Sequence, residues 1–161
     1  MNNEQIRPLA LGVIWRGAEI LVFEGYDHVK GETFYRPLGG GIEFGERGPE
    51  ALRREFREEL GAELVDVRYL TTLENIFTCD GARGHEIVLL YEATLADRSF
   101  YEQETLQVHE ETETLPACWM PLREFREGGP PLYPDGLPEY LNLARDDLEF
   151  NPQNPDFGAD L

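Results

Sequence analysis

The chain has 161 residues, of which 41% are hydrophobic, and its formal net charge is −18 at pH 7. This length fits a single domain, which we expect over residues 1–149, and no stretch is apolar for long enough to predict a membrane span. Such an acidic surface repels polyanions, so binding to long nucleic acids is not expected. Cys79 and Cys118 form no disulfide framework and no secretory signal precedes them, which predicts a cytoplasmic protein.

The first half of the chain begins with β-rich segments. Residues 9–15 and 18–24 are apolar, and Arg16 and Gly17 separate them, which predicts a β-hairpin. Residues 32–38 form a further predicted strand that ends at Pro37 and a run of glycines. A helix over residues 49–60 follows, because proline suits the first turn of a helix and glycine suits its C-terminal cap.

The second half contains mostly strands. Residues 63–78 and 85–96 predict a large hairpin around a glycine-rich turn, and residues 117–122 predict another strand. Residues 134–148 predict an amphipathic helix, and the composition of residues 150–161 predicts a flexible tail. This order of elements predicts an α/β fold in which helices cover a mixed sheet.

Three glutamates crowd the helix predicted at residues 49–60. Glu55, Glu58 and Glu59 lie on one arc beside a stripe of three apolar residues, Leu52, Phe56 and Leu60. Helix energetics disfavour this arrangement, since like charges repel at i,i+4 and anions are unfavourable near a helix C-terminus. A solvated helix paired with arginines is one interpretation. A site for a hard divalent cation is the other, because such cations prefer carboxylate oxygens.

The spacing of these residues resembles a known motif. Gly40, Glu46, Arg54-Glu55-Phe56, Glu58-Glu59 and Gly61-Ala62 fill the positions of the Nudix box, G-x5-E-x7-R-E-U-x-E-E-x-G-U, where U is a bulky apolar residue. Phe56 replaces the usual aliphatic residue, and Ala62 is small for the last position. The chain is thus identified by resemblance as a member of the Nudix hydrolase family.

The resemblance implies an α/β/α sandwich and a Mg²⁺-dependent hydrolase, with Mn²⁺ as a possible substitute, that cleaves nucleoside diphosphates linked to another group. It implies that Glu55, Glu58 and Glu59 bind the metal together with the Gly39 carbonyl. Arg54 would orient Glu55, and Glu46 would fix the loop; both are counted with the three glutamates as catalytic residues.

The sequence leaves the general base open. Glu58 and Glu59 are candidates within the box, but family members sometimes supply the base from another loop. That possibility adds four glutamates outside the box: Glu74, Glu86, Glu110 and Glu111.

Two of the residues outside the box have competing interpretations. Glu86 alternates in phase with Val88 and Leu90, and this phase would point its side chain inward. A position near solvent at the end of the strand is nevertheless favoured for Glu86. The same position is favoured for His85. Arg36 precedes the glycine loop, where either a substrate phosphate or an ordinary salt bridge would account for it.

The substrate is assigned by elimination. The sequence features that accompany the box in hydrolases of ADP-ribose, diadenosine polyphosphates, NADH and coenzyme A are missing from this chain. The acidic surface disfavours RNA caps and inositol pyrophosphates as substrates. Small nucleoside di- or triphosphates remain. A nucleotide sugar or another nucleoside diphosphate derivative stays open, as do a non-catalytic nucleotide-binding module and a monomeric or homodimeric state.

Overall fold

The computed structural model describes residues 4–149, with side chains described as far as residue 144. The predicted tail at residues 150–161 lies outside the described residues. Within the described part, no helix is both long and apolar enough to cross a membrane.

The first sheet is mixed and carries the glycine loop at its edge. Its strand order is β5-β1-β7-β6, with β1 parallel to β7 and the other pairs antiparallel. In chain order these strands are β1 (Ile6–Val13), β5 (Leu38–Gly41), β6 (Leu64–Cys79) and β7 (Ala82–Leu95). The antiparallel pairing of β6 with β7 confirms the predicted large hairpin.

The second sheet has five strands and is antiparallel throughout. β3 is its central strand and pairs with β2, β4 and β9, and β9 pairs in turn with β8. In chain order these strands are β2 (Trp15–Arg16), β3 (Glu19–Asp27), β4 (Glu32–Arg36), β8 (Thr105–His109) and β9 (Thr114–Pro121).

The hairpin predicted from residues 9–15 and 18–24 forms only around its turn, where Trp15 and Arg16 pair with β3 and the Leu21 N–H donates to the Ile14 carbonyl at 3.0 Å. β1 itself pairs with β5 and β7, whereas β3 lies in the other sheet. The two apolar runs are local neighbours in sequence, but each is buried on both faces and forms the interior of a different sheet. Continuous apolar runs therefore predicted strands here without predicting which strands pair.

Two helices cover opposite faces of the sheets. α1 (Gly48–Leu60) buries Leu52 and Phe56 in one hydrophobic cluster, and α2 (Leu137–Glu149) buries Leu137 and Leu141 in the other. Alternate residues of β1 contribute to the two clusters, since Ala10 lies in the first and Leu11 in the second. This α/β/α arrangement confirms the predicted fold class.

The connection between β3 and β4 is hydrogen-bonded to the tip of the β6–β7 hairpin. Asp27 is buried and accepts hydrogen bonds from the Val29 and Lys30 backbone N–H groups, at 2.9 Å each. The Lys30 Nζ donates to the Thr78 carbonyl at 2.7 Å, and the His28 N–H donates to Asp80 Oδ1. These bonds tie together two turns that are distant in sequence.

The contribution of Asp27 to the stability of the fold depends on pH. The Lys30 backbone hydrogen bond holds the pKa of Asp27 below its ordinary value of 3.8. The charge of Asp27 therefore stabilises the fold above that value, and this contribution is lost as the pH falls through the lower pKa of the folded state. We expect Asp27→Asn to lower the thermal midpoint at pH 7 and to differ less from the wild type in acid. Equal differences at pH 7 and about pH 2 would contradict this linkage.

Candidate active site

The local sequence fixes α1 beneath the glycine loop. Pro49 occupies the first turn, and the Arg47 backbone N–H donates to Glu50 Oε2 at 3.2 Å at the N-terminus. At the other end Gly61 adopts the left-handed conformation, with φ at 64°, and its N–H donates to the Arg57 carbonyl. The helix observed therefore confirms the predicted one, and it presents Glu55 toward β5.

Arg54 joins the loop, the helix and three of the carboxylates. Its Nε and Nη2 donate to both oxygens of Glu46, at 2.8 and 3.0 Å, and its Nη1 donates to Glu55 Oε1 at 2.9 Å. Nη2 also donates to the Gly41 carbonyl at 2.9 Å. The hydrogen bonds from Arg54 hold the pKa of Glu46 below its usual range. Arg54 thus contacts both Glu46 and Glu55, and the roles that the resemblance implies for Arg54 and Glu46 stay predictions.

Gly40 gives Glu55 the space that it occupies. A Cβ atom added at Gly40 would lie 2.5 Å from the Glu55 Cδ and 2.7 Å from each of its carboxylate oxygens. At Gly39 the φ angle is 141°, and a Cβ would collide with the Ala10 carbonyl oxygen. The glycines therefore allow the β5 backbone to lie directly against the helix carboxylate.

We expect Gly40→Ala to displace Glu55 and to lower turnover at least roughly tenfold, because an error of about 1 Å in a reacting group is costly. Gly45→Ala is the matched control, since Gly45 has no atom within 4 Å of an added Cβ and only its positive φ of 84° is strained. The measurement is kcat for both variants beside their thermal midpoints. Equal turnover in the two variants would show that the Gly40 contact is unimportant.

Glu59 lies next to Glu55 at the edge of the core. It is 6% exposed, and burial, followed by the charges of Glu110 and Glu55, raises its pKa to about 9. The neighbouring Glu55 carboxyl adds to the rise in the pKa of Glu59, whereas Arg36 acts in the opposite direction. A buried pair of acids is unfavourable by itself, and a bound cation would relieve it.

Glu58 occupies a different position from the other two glutamates. Its side chain is 61% exposed, and Oε2 accepts a hydrogen bond from Arg54 Nη1 at 3.4 Å. Within residues 4–149, no group of three or more His, Cys, Asp or Glu side chains is gathered closely enough to hold a metal ion. The structure thus brings Glu55 and Glu59 together and leaves Glu58 at the solvent side of α1.

Arg36 and Glu110 approach this pair from two other elements. Arg36 lies on β4, with its guanidinium 5.7 Å from the centroid of the Phe23 ring. Its Nε is buried and has no hydrogen-bond partner in the described structure. Glu110 follows β8, and its charge acts on Glu59. An ordinary salt bridge, one interpretation of Arg36, is not formed within 4.0 Å among the described residues.

The remaining candidates for the general base lie elsewhere. Glu74 and Glu111 are exposed, and His85 is half-buried near the start of β7. Glu86 is only 5% exposed, so the favoured position near solvent is wrong. It points inward in phase with Val88 and Leu90, toward the cluster that α2 covers and away from α1.

Sequence reasoning missed two polar residues near Glu86. Asn75 is buried and hydrogen-bonded to Glu86. Arg7, on β1, is the register partner of Glu86. A signal for Asn75 was available, because it alternates in phase with Leu73 and Phe77 and is the polar member of that inward series. Arg7 carried no comparable signal.

The donor set fits a divalent cation. Glu55 and Glu59 offer adjacent carboxylates, Gly40 lets the β5 backbone lie against Glu55, and Arg54 holds the orientation of Glu55. Mg²⁺ is commonly held by one or two carboxylates and completes its shell with water and substrate phosphates. Fold and site together define an α/β/α sandwich with a carboxylate centre on its first helix.

The comparisons with known proteins agree with this description. The family model described as NUDIX domain matches residues 6–140, so the chain belongs to the Nudix family. It is 40% identical over 76 residues to the nucleoside triphosphatase NudI of Escherichia coli O139:H28, a match that covers 43% of this chain and 54% of that protein. The chain spans about half the length of the curated relatives it matches.

Solved structures show the same fold. The solution structure of the E. coli ORF135 protein has a TM-score of 0.60 and 24% identity, and the match covers 94% of this chain and 99% of that one. The crystal structure of the MutT NUDIX hydrolase from Burkholderia pseudomallei has a TM-score of 0.57 and 24% identity, with 74% and 86% covered. At this identity the likeness concerns the fold alone.

Proposed function

We propose that the protein is a Mg²⁺-dependent hydrolase, active with Mn²⁺ as well, that cleaves a phosphoanhydride bond in small nucleoside di- or triphosphates. The observation that carries the proposal is the pairing of the buried Glu59 with Glu55 beside Gly40, held in place by Arg54. Family membership supports it, as does the partial match to a nucleoside triphosphatase.

The residues that would hold the cation are Glu55 and Glu59, together with the Gly39 carbonyl and with Glu58 after a change of side-chain rotamer. A cation bound there would neutralise diphosphate oxygens and make the phosphorus open to attack. Arg54 and Glu46 take part as positioning residues, because they fix Glu55 and the loop through charge-assisted hydrogen bonds. Arg36 is the proposed contact for a substrate phosphate, since its buried Nε has a hydrogen bond to donate.

The reaction needs a base for the attacking water. Glu110 is favoured over the other candidates because its charge reaches Glu59, whereas Glu86 faces the opposite side of the sheet. Glu110 would take a proton from water as the water oxygen bonds to phosphorus. The bridging P–O bond breaks at the same centre, and the bridging oxygen leaves with the departing phosphate or pyrophosphate.

A nucleotide panel tests the proposal. Nucleoside di- and triphosphates, nucleotide sugars and dinucleotides are incubated with Mg²⁺, and phosphate is measured with malachite green, with and without added phosphatase. Release from a nucleoside di- or triphosphate, abolished by EDTA, is expected. Turnover restricted to nucleotide sugars or other derivatives would replace the substrate assignment, and tight binding without any turnover would indicate a nucleotide-binding module.

A further inference from the structure

A buried polar pair lies on the sheet face opposite to α1. Glu86 on β7 and Asn75 on β6 are direct partners across the strands and are 5% and 4% exposed. The Asn75 Nδ2 donates to Glu86 Oε1 at 3.3 Å, and its Oδ1 accepts from the Asp135 N–H at 3.1 Å. Both ends of the amide are thus engaged, which fixes its orientation and holds Glu86 Oε1 in place.

The internal contacts of Glu86 do not account for its burial. Among the described residues its recorded hydrogen bond is the one from Asn75, and it belongs to no ion pair within 4.0 Å. Burying a carboxylate is costly unless it is paired or fully hydrogen-bonded. Within residues 4–144, whose side chains are described, the second oxygen, Oε2, has neither kind of partner, so the side chain retains capacity to accept hydrogen bonds from a ligand.

Glu86 lines a cavity of about 860 Å³. The start of β1 and the β6–β7 hairpin line this cavity, and Arg7 and Phe77 are among the lining residues. Arg7 is the register partner of Glu86, and its Nη2 lies 3.7 Å from where a Cβ on Gly41 would be. Arg7 therefore lies between the cavity and the end of β5, and Glu55 of α1 lies against the other face of β5.

The chemistry of Glu86 selects among nucleobases. A carboxylate only accepts hydrogen bonds, and its two oxygens match a pair of adjacent donors. On guanine the ring N1–H and the exocyclic amino group form such a pair. Adenine and cytosine place a ring acceptor beside their amino group, and uracil flanks its N–H with two carbonyl oxygens, so each would face Glu86 with a repulsive atom.

We propose that the cavity holds the nucleoside and that Glu86, held by Asn75, makes the protein selective for guanine nucleotides. Arg7 contacts the phosphate nearest the nucleoside and does not distinguish bases. This inference rests on the proposed function, because it takes nucleotides as the ligands, and it adds the base that is recognised.

Binding of nucleoside monophosphates tests the inference separately from hydrolysis, since these ligands contain no phosphoanhydride bond. Isothermal titration compares GMP, AMP, CMP and UMP with the wild type, Glu86→Gln and Glu74→Gln. We expect the wild type to bind GMP at least tenfold more tightly than AMP and Glu86→Gln to lose that difference. Glu74→Gln, the same change at an exposed position on the same hairpin, is expected to keep it.

Equal affinity for all four monophosphates, binding of none of them, or an unchanged GMP preference in Glu86→Gln would overturn the inference. If Glu86→Gln does not fold, GMP is titrated into labelled wild-type protein. The amide signals of Arg7, Asn75 and Glu86 must then shift, and their failure to move would equally overturn it. Nucleotide hydrolysis without base preference would refute the guanine assignment alone, whereas GMP binding without hydrolysis of any nucleotide would refute the proposed activity alone.

Discussion

Glu59→Gln is expected to lower turnover at least roughly 100-fold while making the metal-free protein more stable. The carboxyl is buried against Glu55 and near Glu110, and its pKa is raised to about 9. A carboxyl whose folded pKa is raised above its unfolded value destabilises the fold increasingly as the pH rises between the two values. A neutral amide of the same shape removes this cost, and each 1 kcal/mol gained raises the thermal midpoint by roughly 2–4 °C.

Thermal unfolding in EDTA and in Mg²⁺ measures both parts of this prediction. The wild type should gain stability from Mg²⁺, because a ligand that binds only the folded state stabilises it. Glu59→Gln should start higher in EDTA and gain little. Glu58→Gln is the control for the midpoint in EDTA alone, since its side chain is 61% exposed and removing its charge is not expected to raise the stability of the metal-free protein. A lower midpoint for Glu59→Gln in EDTA, or an undiminished response to Mg²⁺, would refute the interpretation of Glu59 as a cation ligand.

Arg54→Ala is expected to reduce the free energy of unfolding by about 2–4 kcal/mol and turnover at least roughly tenfold. The guanidinium makes a bidentate contact with Glu46 and further hydrogen bonds to Glu55 and the Gly41 carbonyl, and its side chain is 23% exposed. Removing it leaves partly buried carboxylates without their cation. It also frees the loop that brings Gly40 against Glu55.

Arg57→Ala is the control for this experiment. Arg57 lies on the same helix and forms an exposed ion pair with Glu63 at 2.7 Å, a type of contact that contributes little to stability. Arg54→Lys adds a second comparison, because lysine keeps the charge but cannot reproduce the forked contact. Chemical denaturation and kcat are measured for all three variants. Similar losses in the Arg54 and Arg57 alanine variants would mean that the Arg54 network has no special role.

The regular spacing of the box made much of the site predictable. Gly40, Arg54 and Glu55 were assigned from their intervals, and in the structure they are in contact because a helix behind a tight loop brings those intervals together. The different environments of Glu58 and Glu59 were not predictable to the same degree. Neighbouring positions on the edge of a helix become exposed or buried according to what packs against that edge, here β5, β8 and the loop after it.

Pairing between distant segments was the harder part. The apolar runs of β1 and β3 suggested a local hairpin, yet each entered a different sheet, because buried runs have no polar alternation to specify their partners. Glu86 was similarly misjudged from its place near a strand end. Its hydrogen-bond partner Asn75 lies across the hairpin and is held in turn by the Asp135 N–H from the segment before α2, and neither residue is near Glu86 in sequence.

The central claim is that Glu55 and Glu59 together hold a divalent cation beside Gly40. Titration of Mn²⁺ followed by electron paramagnetic resonance measures this directly, since free Mn²⁺ gives a sharp signal that broadens on binding. We expect the wild type to bind Mn²⁺, Mg²⁺ to compete, and Glu55→Gln and Glu59→Gln each to weaken binding at least roughly tenfold. Undiminished Mn²⁺ binding by both variants would contradict the central claim.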